Sequence, residues 1–239
     1  MTRLHRKDLK QDEVREKVAE AVKSVSLHGR EVFYIIAIVI VVGSIAFAWY
    51  FYEQKQQQSS QYLLGQALEK YSSPVAQQPD PNVPKPAYDF KTDSEKYTSA
   101  LKDFEEVIRK HGNTPAADVA RYMVGVCSFY LKDFAKAEEH FKQSGRVSDK
   151  NILFFQSRTA LADLYSKTGK SDQAVALIRE ASERSNPLIP KEYLLLQLAE
   201  VYEKAGKKTE ARETYQKIVD QNKDSAVGFQ AQQKLNQVQ

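Results

Sequence analysis

Few side chains in this sequence could do chemistry. Cys127 is the lone thiol, and the four histidines, His5, His28, His111 and His140, are scattered along the chain. A thiolate can act as nucleophile, redox centre or metal ligand, and an imidazole as general base or zinc ligand. One cysteine makes no internal disulfide, and with histidines so far apart it builds no zinc knuckle. Neighbouring carboxylates at Glu105-Glu106 and Glu138-Glu139 could form an acid and base pair. Lysines alternate with them at helical spacing, however, which is the mark of a solvated helix face. The sequence contains no GxSxG, no Gly-rich phosphate loop, no HExxH and no DxDxDG calcium loop. Cys127 follows Gly125 by two residues in an apolar run and reads as an inert buried thiol, and His111 and His140 read as solvent-facing. The expectation is a non-enzyme with no cofactor, no bound metal and no small-molecule substrate.

Charge narrows the partners. Lys and Arg number 35 against 31 Asp and Glu, for a net charge of +4. Residues 1–31 hold eight basic and six acidic residues, and the rest of the chain is as evenly mixed. A nucleic-acid binder concentrates basic residues on one face, so that class is set aside.

One segment stands apart. Residues 32–52 read VFYIIAIVIVVGSIAFAWYFY without a charge. As a helix rising about 1.5 Å per residue they cover roughly 30 Å, the thickness of a bilayer's hydrocarbon core. Phe33 and Tyr34 at one edge, and Trp49, Tyr50, Phe51 and Tyr52 at the other, suit the two headgroup levels. Ala46-Phe47-Ala48 has the form of a signal-peptide cleavage site, but the apolar stretch is too long for an ordinary signal sequence. Before it, Leu9, Val14, Val18, Val22 and Val25 recur at helical spacing among charged residues, predicting an amphipathic helix over 9–27. Such a helix would lie on the cytoplasmic leaflet or dock onto a membrane partner. Three parts follow: a basic tail (1–31), a transmembrane helix (32–52) in the lipid bilayer, and a C-terminal domain (53–239).

The third part repeats. Aligning SALKDFEEV, KAEEHFKQS, QAVALIREA and EARETYQKI puts a small residue at Ala100, Ala137, Ala174 and Ala211, a constant spacing of 37. Four places later the bulky residue also recurs, as Phe104, Phe141, Ile178 and Tyr215, the i, i+4 pair of one helix face. Upstream, Val124-Gly125, Leu161-Ala162 and Leu198-Ala199 keep the same period, and Lys132-Asp133, Gly169-Lys170 and Gly206-Lys207 mark the turns between. Each unit is predicted to be a helical hairpin. Tyr62-Leu63-Leu64-Gly65 would supply the first helix of the first unit, with Gly65 matched to Gly125, separated from its partner by a Pro-rich insertion over 72–94. The segment from Ser225-Ala226 onward reads as a polar capping helix.

These residues resemble the tetratricopeptide repeat: Leu-Gly or Leu-Ala in the first helix, Tyr165 or Tyr202 three later, Gly at the turn, then Ala and an aromatic in the second helix. The second unit departs from it, with Ser128 and Lys132 where Tyr and Gly are usual. The expected fold is all-α, with one N-terminal transmembrane helix followed by a tetratricopeptide-type α-solenoid of about four hairpins and a capping helix. The layout is similar to that of the bacterial ancillary SecYEG translocon subunit family. That resemblance implies an inner-membrane protein with a periplasmic domain, acting as a protein-interaction scaffold beside the secretion channel and periplasmic chaperones. A structural subunit of another envelope assembly, with permanent contacts, is the second reading.

In such arrays the first helix of each hairpin lines a concave groove that takes extended or helical peptides. Register assigns to it Tyr122, Val126, Phe129 and Tyr130 in the second repeat, and Thr159, Asp163 and Lys167 in the third. The fourth contributes Tyr193, Leu196, Glu200 and Lys204. Phe129 and Tyr130 could instead be covered from within, by the first repeat or by the insertion.

Orientation follows from Lys and Arg near the apolar helix: Arg15, Lys17, Lys23 and Arg30 precede it closely, whereas only Lys55 and Lys70 follow within twenty residues. A reporter active only in the cytoplasm, fused after Gln239, is therefore expected to be silent, and strong activity would reverse the assignment.

Overall fold

The computed structural model describes residues 15, 17, 19, 29–75, 88–184 and 189–238. Nearly everything described is helical: α1 Gly29–Ser72, α2 Asp93–His111, α3 Pro115–Tyr130, α4 Phe134–Ser144, α5 Ile152–Lys167, α6 Ser171–Glu183, α7 Lys191–Lys204, α8 Lys208–Gln221 and α9 Ala226–Gln237. The amphipathic helix expected over 9–27 lies outside the described residues, except that Arg15, Lys17 and Ala19 are helical and exposed. Most of the Pro-rich insertion likewise lies outside them, and its described ends meet in one isolated bridge between Val75 and Phe90.

The chain divides into two units, one ending at Lys55 and the other spanning Gln56–Gln239. In the first, α1 is long and apolar enough to cross a membrane, and none of its apolar window is buried. Ser44 lies within this run, and its hydroxyl donates to the Ile40 carbonyl at 2.7 Å, so it asks nothing of an apolar surrounding.

In the second unit, local chemistry sets where helices begin and turn. Thr92, Thr114, Asp133, Asn151 and Ser225 each cap a helix by accepting a hydrogen bond from a backbone N–H of its first turn. Three of the hairpin turns are built alike. The N–H groups of Asp133, Lys170 and Lys207 reach back to the carbonyls of Ser128, Tyr165 and Tyr202 at 2.9, 2.8 and 2.9 Å. Each turn needs one left-handed residue, supplied by Gly169 (φ 78), Gly206 (φ 73) and, in the second unit, Lys132 (φ 65). The turn survives without its glycine because the hydrogen-bonded frame holds the lysine there.

Packing follows the 37-residue period. Ala100, Ala137, Ala174 and Ala211 are all fully buried, and Phe104, Phe141, Ile178 and Tyr215 are at most 2% exposed. Opposite them, Ala162 and Ala199 are buried, and Gly125 stands so close to α4 that a Cβ there would lie 2.6 Å from a Phe141 ring carbon. The second half of α1 packs on α2 through Leu63, Leu64, Ala67, Leu68 and Tyr71 around Ala100 and Phe104. Here the structure corrects the sequence reading: Gly65 is exposed with open space around it, and Ala67, fully buried, fills the inner position. The face is set by its larger apolar residues, and Gly65 falls on the other side of the helix.

Polar ties link consecutive hairpins. Glu138 on α4 accepts from Lys142 at 2.6 Å, Lys170 at 2.9 Å and the Tyr165 hydroxyl at 2.9 Å, and these donors hold its carboxyl well below the usual range, at about 2. Lys207 pairs with Asp172 at 2.6 Å and Lys136 with Glu105 at 2.6 Å in the same manner. These pairs are partly solvent-exposed and serve more to fix register than to add stability.

Two glycine substitutions test this arrangement. Gly125→Ala forces a methyl into the Phe141 ring and is expected to cost about 1–3 kcal/mol. Gly65→Ala, in the open interior of a helix, should gain roughly 0.5–1 kcal/mol. Denaturant unfolding of the full chain in detergent, followed by circular dichroism, reads both, and an unchanged Gly125→Ala midpoint would mean that α3 and α4 do not meet there.

Candidate functional site

The first helices of successive hairpins, α3, α5 and α7, pack side by side. Their faces turned away from α6 and α8, together with Phe141 of α4 and Tyr71 of α1, line an open cavity of about 810 Å³. Its floor is apolar, with Phe141, Phe155 and Leu194 almost fully buried beneath it.

On the α3 side Tyr122, Val126, Phe129 and Tyr130 line the cavity, as their register requires. Tyr122 packs on Phe141 with ring centroids 5.8 Å apart, and burial raises its phenol pKa. Phe129 and Tyr130 meet edge to face at 6.0 Å. The Tyr130 ring also stacks on Tyr97 of α2 at 4.7 Å with 12° between planes, and Tyr97 in turn contacts Tyr71 of α1 at 5.7 Å. The first repeat thus covers one face of Tyr130, which stays 54% exposed. Tyr71 itself reaches the cavity wall, and burial pushes its hydroxyl up to about 12.

The α5 and α7 sides are more polar. Thr159, Asp163, Tyr193, Glu200 and Lys204 all line the cavity. Lys204 reaches across from α7 to Asp163 on α5 at 2.8 Å. Lys167 borders an adjoining hollow with Asp163, Ser166 and Lys204, and its ammonium sits 4.9 Å from the centre of the Phe129 ring.

Leu196 is a correction. It is 2% exposed and belongs to the core, while Gln197 beside it faces the cavity. The stripe on α7 runs 193, 197, 200, 204 rather than 193, 196, 200, 204, because the leucine gains more by turning inward than the glutamine would. Gln156 and Gln197 also line the cavity, and their signal was polarity at the edge of or within a short apolar run, Ile152–Phe155 and Leu194–Ala199 respectively. Tyr71, from a helix separated by the insertion, left no such signal.

The groups with chemical potential lie elsewhere. Cys127 is fully buried, and desolvation pushes its thiol up to about 12. His111, expected to face solvent, is half-buried and bonds through Nδ1 to Gln56 and through Nε2 to Ser59 at 3.3 Å. His140 is half-buried too, and desolvation lowers its pKa. Among the described residues no three or more His, Cys, Asp and Glu side chains are grouped to hold a metal ion.

A family model described as a tetratricopeptide repeat-like domain matches residues 30–239. No curated protein matches the sequence. Among solved structures, the nearly identical TPR-like repeats of a putative kinesin light chain from Podosopora anserina are similar. The TM-score is 0.50 at 18% identity, over 60% of this chain and 77% of that one. A point variant of the same protein gives the same TM-score of 0.50 and 18% identity, with 60% and 77% covered. Identity this low carries the fold alone.

The stripe on α7 is open to measurement. Leu196→Ala should cost about 2–5 kcal/mol as a core truncation, whereas Tyr193→Ala, at 47% exposure, should change stability by only about 0.5 kcal/mol. Denaturant unfolding of both variants that showed equal losses would overturn this register.

Proposed function

Because this chain belongs to the tetratricopeptide repeat-like domain family, we propose that it is a membrane-anchored scaffold whose α3–α5–α7 groove holds a polypeptide segment of a partner. The observation that carries this reading is the groove itself. It joins an apolar floor, an aromatic wall and polar side chains in a volume of about 810 Å³, the mix of anchors and hydrogen-bonding groups that peptide sites use. Tyr130 and Tyr193 are 54% and 47% exposed there, ring area that a bound segment would cover.

In this reading α1 spans the bilayer through residues 32–52, the basic tail is cytoplasmic, and residues 53–239 lie on the far side. The absence of charge from 32 to 52 and the Lys/Arg asymmetry around it support that topology. Its layout, similar to that of the ancillary SecYEG translocon subunits, supports a place beside the secretion channel of a bacterial inner membrane, serving periplasmic chaperones or emerging chains. The anchor then tethers the groove to one membrane, raising the local concentration of partners that assemble there.

Site-specific photo-crosslinking in intact cells tests it. A photoreactive residue in place of Tyr193 is expected to capture translocon subunits or chains in transit, and one in place of Glu213, exposed on α8, is not. Capture of a single fixed subunit of a different envelope complex would replace the translocon reading with a structural role. No adduct at Tyr193 would remove the groove as the site.

A further inference from the structure

The groove changes chemistry along its length. At the 37-residue period one position carries Val126, Asp163 and Glu200 on α3, α5 and α7, and another carries Tyr130, Lys167 and Lys204. The α3 end is wholly apolar and aromatic. On α5 and α7 two opposite-charge rows face each other, and most of their members are engaged. Lys204 is held by Asp163 at 2.8 Å, and Lys167 stands over the Phe129 ring at 4.9 Å. Glu200 is half-buried, lines the same cavity, and forms no ion pair among the described residues. The α7 end therefore presents one carboxylate with no ion-pair partner among the described residues, on the same helix stripe as the Tyr193 ring. A carboxylate without an ion-pair partner favours a cation.

Between the two ends lie Gln156, Thr159 and Gln197. Side-chain amides and a hydroxyl suit a chain whose own N–H and C=O groups need partners, which is the case for an extended segment and not for a helix. Length follows from geometry. Helices packed side by side stand about 8–10 Å apart, so the step from α3 to α7 is roughly 16–20 Å, which an extended chain at about 3.3 Å per residue covers in about five to six residues.

Resting on the groove reading above, we infer that the occupant is an extended polypeptide segment with two anchors about five to six residues apart. One is a large apolar or aromatic side chain on Val126, Phe129 and Tyr130; the other is a Lys or Arg on Glu200.

The probe is a fluorescein-labelled Gly/Ser peptide carrying a Phe and, six residues on, an Arg, titrated by fluorescence anisotropy against the full chain in detergent. Companion peptides carry Glu or Ala in place of the Arg, or place the Arg two residues from the Phe. The Arg peptide is expected to bind about tenfold tighter than the Glu peptide. Glu200→Lys should invert that order, Glu200→Gln should level it, and the shortened spacing should lose the advantage. Equal affinities for the Arg, Ala and Glu peptides, or a preference that Glu200→Lys leaves in place, would overturn the inference. Thr159→Arg, which fills the middle of the groove, separates this from the broader reading. If it abolishes binding while no Arg preference exists, only the cation site falls. If peptides bind equally well with the groove filled, or none binds at all, the groove reading falls with it. Circular dichroism of each variant confirms that the helices are retained.

Discussion

Small residues that recur every 37 residues on both helices of the last three hairpins, Gly125, Ala162 and Ala199 on the first and Ala137, Ala174 and Ala211 on the second, set through their contacts how closely those helices approach. Four alanines, at 100, 137, 174 and 211, are fully buried. At Gly125 the approach is closer still, with a Phe141 ring carbon 2.6 Å from where a Cβ would stand. Close-packed interiors do not absorb an added methylene without displacement. The spacing between helices is therefore a property of the smallest side chains in the chain, and the larger ones fill what that spacing leaves.

The groove is a consequence of the same contact. When each first helix commits its small face to the second helix of its hairpin, its opposite face is left to its neighbours α3, α5 and α7. The core claims only the inner positions of that face, such as Phe155 and Leu194, and leaves the outer ones free to carry Tyr130, Asp163 or Glu200. Leu196 shows the boundary of that freedom. One residue from the groove stripe, it is claimed by the core, and Gln197 takes the outward place.

Charged residues play a third part. Glu138, Asp172 and Glu105 each receive a lysine across a hairpin boundary, at 2.9, 2.6 and 2.6 Å respectively. Pairs this exposed add little stability. Their value lies in alignment, since two hairpins slipped by one helical turn would set these lysines against the wrong side chains. Lys132 makes a similar point about turns. A lysine at φ 65 occupies the place of Gly169 and Gly206, held by the same backbone hydrogen bond that closes the other two turns.

By itself the sequence determined everything that is periodic or compositional. The uncharged run from 32 to 52, the hairpins, their small and bulky contact residues and their turns were all legible, because a helix places residues four apart on one face whatever surrounds it. Most of the groove residues followed from the same register. What only the tertiary structure decided were matters of rotation and reach. Gly65 looked equivalent to Gly125 by type, yet the face of α1 is set by Leu64, Ala67 and Tyr71, which turn Gly65 outward. Leu196 and Gln197 are adjacent, and 3.6 residues per turn permits either to face the groove until neighbouring helices offer one of them a core. The stacking of Tyr130 on Tyr97, and the arrival of Tyr71 at the cavity wall, join residues far apart in sequence. No local periodicity encodes such a meeting; it exists only once the hairpins are packed.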